Sequence, residues 1–418
     1  MKVLRFSLML LAFFTLWIPS TTIAASPEEL QRQIREMAIQ LQLLQAQLTR
    51  QEQEIKATIQ HLNEHKRDLS RNREHLQKQD EKLEKTLNSK EGITNFAERL
   101  NSINEHLKIS GLVEVETGFS KDYDDDNTSD ITLATAALDI DINLHRYVAA
   151  HLMFLWEEDD TEPVDLDEGY IVIGNTESFP LFLQTGKLYV PFGNFESNMI
   201  SDPLTLEIGE TRETAVVIGV EYNGLHVSTY AFNGDIDKSD DDDQIKCFGL
   251  NAGYIFANEL FGIDVGAGWI NSLSDSDTLE EILPSEIEDY VAGITAHAIF
   301  SWQGFQLAGE YLGATDNFEV DELEFKNKGA EPKAWNIELG YTFEIADHET
   351  VLALAYQKTD EALALELPEE RYLACAGMGL IDGLSLAVEY AHDKDYDKKD
   401  GGTGNHADTF TMQLSLEF

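Results

Sequence analysis

The stretch DTFTMQLSLEF, residues 408–418, sets Phe410, Met412, Leu414, Leu416 and Phe418 at every second position, with Thr411, Gln413, Ser415 and Glu417 between them. Side chains alternate across an extended chain, so a period of two predicts a β-strand with one apolar and one polar face. Such a strand could end a soluble sandwich or close a barrel. The remainder of the chain distinguishes the two.

The same period recurs upstream. Val113, Val115 and Phe119 alternate with Glu114, Glu116 and Gly118, and Leu138, Ile140, Ile142 and Leu144 with Asp139, Asp141 and Asn143. Phe261, Ile263, Val265, Ala267 and Trp269 flank Asp264, and Trp335, Ile337, Leu339, Tyr341 and Phe343 enclose Asn336, Glu338 and Thr342. Sixteen segments follow this pattern, near 109–119, 131–144, 147–157, 165–173, 181–190, 212–222, 225–233, 245–254, 261–270, 289–300, 305–313, 334–343, 350–358, 370–380, 384–392 and 408–418. The fourth and fifth, GYIVIG and LFLQTGKLYV, alternate poorly.

Their connections alternate between short and long. Asn223-Gly224 is a type I′ hairpin signal, and 301–304 and 381–383 are equally brief. Between them fall acidic loops such as KDYDDDNTSD (121–130), EEDDTEPVD (157–165) and GDIDKSDDDD (234–243). Short turns at one end, long loops at the other and an even strand count predict an all-β transmembrane barrel of about 16 antiparallel strands. Aromatic residues near strand ends, among them Trp269, Tyr311, Phe343 and Tyr390, fit its interfacial girdles.

The first 106 residues read differently. Lys2 and Arg5, the apolar run from Phe6 to Ile18 and the small residues around Ala24 predict a signal peptide over 1–25. Ile34, Leu41, Leu48, Ile55, Leu62, Leu69, Leu76 and Leu83 then recur every seven residues, which predicts an α-helical coiled coil over 26–106 and self-association, with a trimer favoured. Residues 107–418 form the barrel domain in this reading, with the coiled coil and both termini on the periplasmic side. Charge divides along the same boundary. Residues 26–106 carry 13 Lys and Arg against 14 Asp and Glu, whereas 107–418 carry 15 against 63. A nucleic acid is excluded as a partner on this balance, and cations are attracted.

No Gly-x-Ser-x-Gly elbow or His-Glu-x-x-His helix is present, and His226, His297 and His392 have no adjacent Ser, so no enzyme is predicted. Cys247 and Cys375, the only cysteines, read as unpaired thiols on inward faces, without His or Asp company. Carboxylates at alternate positions, Asp122/Asp124/Asp126, Asp235/Asp237/Asp241/Asp243 and Asp393/Asp395/Asp397, miss the Gly and Glu of a calcium loop and read as solvated; no metal site and no cofactor is predicted. On the polar strand faces, Glu114, Glu116, Asp139, Asp141, Asp264, Glu310, Glu338 and Glu389 are candidate pore-lining groups, and sixteen strands leave an aqueous passage.

A terminal strand ending on Phe418 resembles the sorting signal of bacterial outer-membrane barrels. The stretches ISGLVEVETGFS (109–120) and GKLYVPFGNFESNMISDPLTLEIGETRETAVVIGVEYNGL (186–225) resemble the LbtU (legiobactin-receptor-like) family of outer-membrane siderophore porins. That resemblance implies uptake of an iron-siderophore across the outer membrane of a Gram-negative bacterium, through a barrel in contact with outer-membrane lipid. Two other readings stay open: a general cation-preferring porin, and a structural tether that anchors the coiled coil to peptidoglycan.

Overall fold

The computed structural model describes residues 106–418 except 159–160, 162 and 240–243. The expected signal peptide and coiled coil lie outside the described residues. Sixteen antiparallel strands close into a barrel. They are β1 (Leu107–Lys121), β2 (Asn127–His145), β3 (Val148–Trp156), β4 (Asp165–Asn175), β5 (Phe179–Tyr189), β6 (Arg212–Tyr222), β7 (Leu225–Phe232), β9 (Cys247–Ala257), β10 (Phe261–Ile270), β12 (Gly293–Trp302), β13 (Phe305–Ala314), β16 (Lys333–Ile345), β17 (His348–Asp360), β18 (Glu370–Ile381), β19 (Leu384–Lys394) and β20 (His406–Glu417). Four further strands are short: β8 (Asp237–Lys238) pairs with β11 (Glu286–Ile287), and β14 (Glu324–Phe325) with β15 (Lys328–Gly329). Two helical turns, α1 (Leu204–Gly209) and α2 (Asp277–Ile282), lie in the long loops.

Each of the sixteen alternating segments is a barrel strand, with ends moved by a few residues. The strand expected at 289–300, for instance, runs from Gly293 to Trp302. The two poorly alternating segments form β4 and β5. Their ladder keeps unbroken register from Gly169–Lys187 to Gly174–Phe182, and the alternation is weak because inward positions are apolar too: Tyr170 and Phe182 pack against the buried cluster while Ile171 and Ile173 face outward.

The terminal strand closes the barrel. Val113 pairs with Leu416 and Phe119 with Phe410, and the backbones of Gly111 and Phe418 exchange two hydrogen bonds of 3.0 Å. At the β6–β7 turn, Asn223 (φ 51°) and Gly224 (φ 83°) both occupy the left-handed region, as a type I′ turn demands. A side chain at Gly224 would also strike the Ile255 carbonyl, because a Cβ there would sit 2.0 Å from that oxygen.

Exposure follows the pleat. On β16, Trp335, Ile337 and Leu339 are 45%, 53% and 47% exposed, while Asn336 and Glu338 between them are buried. The large exposed side chains continue around the barrel, through Ile218, Leu250, Phe300, Leu307, Leu354 and Leu414. Aromatic pairs flank this apolar surface: Phe305 stacks on Tyr341 at the short-turn end, and Tyr311 meets Trp335 (4.5 Å between centroids) toward the other. An apolar exterior over a polar interior, with no free sheet edge, is the arrangement a bilayer requires of strands.

The long loops depart from expectation. They are not simply solvated: Leu273, Leu279, Leu283, Ile287, Phe318, Leu323 and Leu365 from three of them pack into one cluster with Leu188, Phe192, Leu204 and Ile208. The protein's own loops therefore fill part of the interior that sixteen strands alone would leave as an aqueous passage. Acidic spacing hid the apolar residues that lie between the carboxylates.

Ile337 lies midway along β16 on the outer face, so Ile337→Arg should destabilise the refolded barrel in lipid vesicles by about 2–4 kcal/mol. Urea unfolding in vesicles measures it. An unchanged midpoint would mean that this face does not meet lipid.

Candidate functional site

The connection between β5 and β6, residues 190–211, does not extend outward. It turns back along the polar wall as a strap. Its backbone N–H groups leave water there and need acceptors, which carboxylates on the wall supply. Glu310 on β13 accepts hydrogen bonds from the N–H groups of Asn194 (2.8 Å) and Phe195 (3.2 Å), and from the hydroxyls of Thr205 (3.1 Å) and Thr295 (3.3 Å). Glu338 on β16 accepts from the Ser197 hydroxyl (2.7 Å), the Asn198 N–H (2.9 Å) and Asn198 Nδ2 (2.6 Å). Glu389 on β19 accepts from the N–H of Ile200 (2.6 Å) and from the N–H and hydroxyl of Ser201.

The strap thus crosses from β13 to β19 in steps of three residues. It returns through α1, whose Leu204 N–H reaches Gln357 Oε1 on β17 at 3.2 Å. Gly209 ends that turn hard against Leu312, where a Cβ would lie 2.0 Å from Leu312 Cδ1. Apolar residues of the strap, Phe192, Leu204 and Ile208, face the loop cluster and are buried.

Three of the eight candidate residues, Glu310, Glu338 and Glu389, are therefore the anchors of the strap. Asp139 and Asp141 share His151, whose Nδ1 lies 2.8 Å from Asp141 and whose Nε2 lies 3.8 Å from Asp139. Asp264 faces His297 Nε2 at 3.3 Å. Glu116 accepts from Gln413 Nε2 at 2.9 Å, and Glu114 lies opposite Ser415 in the ladder. Sequence reading did not pair His151 and His297 with these carboxylates because each comes from another strand, and it likewise missed Arg371, which grips Asp393 at 2.8 and 3.0 Å. The alternating carboxylates also have structural partners: Asp122 caps its own turn by accepting from the N–H groups of Asp124 and Asp126, and Asp395 from the N–H and hydroxyl of Thr403. Asp241 and Asp243 lie outside the described residues.

Both cysteines are buried and unpaired. Cys375 faces inward opposite Glu389. Contrary to expectation Cys247 does have an acidic neighbour, and its thiol donates to Asp275 at 3.2 Å.

Beside the strap lies a cavity of about 1170 Å³, bounded by β5, β6, the 233–246 loop and α2. Carboxylates dominate its lining: Asp202, Glu207, Glu210, Glu213, Asp235 and Glu280 are among them. Two cations also line it, Lys187 and Arg212, and they are engaged by Asp165 and Asp167 respectively. Burial, then the negative charge of Asp277, pushes Glu210 up to about 8, and burial raises Asp202 and Glu207 as well. Burial and neighbouring Asp235 bring Glu280 to about 7.

No family model matches the chain. It is 28% identical over 311 residues to a UPF0422 protein of Coxiella burnetii, covering 71% of this chain and 66% of that protein. It is likewise 28% identical over 357 residues to a UPF0422 protein of Legionella pneumophila (strain Paris), covering 75% and 66%. The chain thus spans just under two thirds of these relatives' length. Among solved structures, its fold is similar to OprB of Pseudomonas putida (TM-score 0.54, 11% identity, 77% of this chain and 96% of that one) and to an anion-selective porin from Comamonas acidovorans (0.52, 13%, 75% and 99%). The outer-membrane channel DcaP of Acinetobacter baumannii is also similar (0.51, 12%, 75% and 97%). The fold is that of the outer-membrane porins.

Two outcomes follow from this geometry. Replacing both Glu338 and Glu389 by Ala removes charge-assisted hydrogen bonds of about 1.5–3 kcal/mol each and leaves strap donors unpaired. Single-channel conductance should rise and the strap should become open to protease; unchanged values for both would contradict its anchoring. The raised Glu210 also has a linkage sign. Its neutral form is favoured in the fold, so its contribution is complete below the ordinary value of 4.5 and lost as pH rises toward 8. The urea midpoint should fall over that window and level off above it, and Glu210→Gln should flatten the fall.

Proposed function

We propose that this protein is a porin-like channel of the Gram-negative outer membrane, through which small solutes of neutral or positive charge enter the periplasm. The observation that carries the reading is the carboxylate-lined interior: a strap narrows the barrel, and the cations beside its cavity are neutralised by partners. Glu114, Glu116, Asp139, Asp141 and Asp264 line the passage in this proposal, while Glu310, Glu338 and Glu389 hold its constriction. Fixed negative charge in a low-dielectric passage concentrates cations and repels anions.

The proposed cargo is a ferric siderophore without net negative charge. In support, the longest stretch of the LbtU resemblance, 186–225, covers the end of β5, the whole strap, β6 and the turn after it. Any size or shape selection by the constriction would depend on those residues. Short turns face the periplasm in such barrels, so the start of β1 at Leu107 and the end of β20 at Glu417 would lie on that side. The proposed coiled coil at 26–106 would then reach into the periplasm and join three copies.

Iron-loaded siderophore uptake by a deletion strain, restored by the intact gene, tests the cargo. Restoration by the wild type for a cationic or neutral complex, with little effect on a polyanionic one, is expected. Equal uptake with and without the gene would remove the siderophore and leave the general porin. A purified protein that gives no conductance in planar bilayers would favour the tether.

A further inference from the structure

The acidic cavity contains one place where three carboxylates converge. Glu213 stands at the start of β6, Asp235 in the 233–246 loop and Glu280 on α2, and each offers an oxygen within 4.8 Å of the other two. An acidic cluster alone means little, since exposed carboxylates gather on many surfaces. Here a second observation concerns Glu213 itself. Its side chain is 8% exposed, it lines the cavity, and its Oε1 is buried without a hydrogen-bond donor. A buried carboxylate oxygen without a partner carries the full penalty of lost hydration.

Among the described residues, the two cations that line the cavity do not relieve it. Lys187 and Arg212 line the same cavity but are held by Asp165 and Asp167. Asp275, with Oδ2 taken up by the Cys247 thiol and Oδ1 by the Ile236 N–H, adds a further negative charge nearby. We propose that Glu213, Asp235 and Glu280 form a binding site for a hard divalent cation, for which calcium is the probe.

The donor set narrows the metal. All three ligands are carboxylate oxygens, which suits a hard cation and not a thiolate- or imidazole-preferring transition metal. Hard divalent cations such as calcium and magnesium take oxygen ligands of this kind. The bound ion would tie three elements distant in sequence: the first residues of β6 after the strap, the loop after β7, and the helix after β10. It would therefore brace the mouth of the barrel, whether or not the barrel conducts.

Calcium titration of the full-length protein in detergent, free of lipopolysaccharide, tests this by calorimetry and by the urea midpoint. One saturable site per chain and a calcium-dependent rise in that midpoint are expected. Asp235 is exposed, so Asp235→Asn leaves the fold intact; it should weaken calcium binding at least about 10-fold, as should Glu213→Gln. Asp124→Asn, in a turn with its own hydrogen bonds, should change nothing. Absence of saturable binding, or binding insensitive to Asp235→Asn, would overturn the site.

Discussion

Backbone hydrogen bonding at the seam between β1 and β20 is the constraint on which the rest of the structure depends. With an apolar exterior, water cannot satisfy strand N–H and C=O groups, so every strand must be paired on both edges. The seam from Leu112–Glu417 to Lys121–Asp408, extended by Gly111 and Phe418, removes the last two edges. Closure then dictates what each alternate residue does. Apolar side chains such as Ile337 and Leu414 take the outer face, and polar ones such as Glu338 and Gln413 are forced inward.

The inward carboxylates answer a second demand of the same kind. A segment that re-enters the barrel carries its own peptide groups away from water, and those groups again need partners. Glu310, Glu338 and Glu389 supply them at intervals that match the course of residues 194–201. Ionised acceptors make stronger bonds than neutral ones, so the wall holds the strap without a second sheet. Part of the large negative charge is thus structural. Another part lies around the cavity beside the strap, where Glu210 and Glu280 meet enough burial and like charge to titrate near neutrality.

The barrel was legible in the sequence because its signal is local. Period-two alternation, Asn223-Gly224 and the short-long rhythm of the connections each need only neighbouring residues, and the pairing of the Phe418 strand with the region of Gly111 follows from closure. The strap was not legible. Glu338 and Glu114 look alike in sequence, each a carboxylate between apolar neighbours, yet one anchors residues 197–198 and the other lies in the first strand opposite Ser415. What separates them is a contact 140 residues away in the chain. The same holds for the meeting of Glu213, Asp235 and Glu280, drawn from a strand, a loop and a helix, and for the loop residues Leu273 and Phe318, whose burial is set by partners in other loops.

A carboxylate-lined, strap-narrowed passage makes its strongest claim on the sign of the ions it admits. The zero-current potential of the reconstituted protein across a potassium chloride gradient measures that sign directly. Potassium should permeate in preference to chloride, with the preference reduced when interior carboxylates such as Asp139 and Asp141 are neutralised. Preference for chloride, or none at all, would contradict the account.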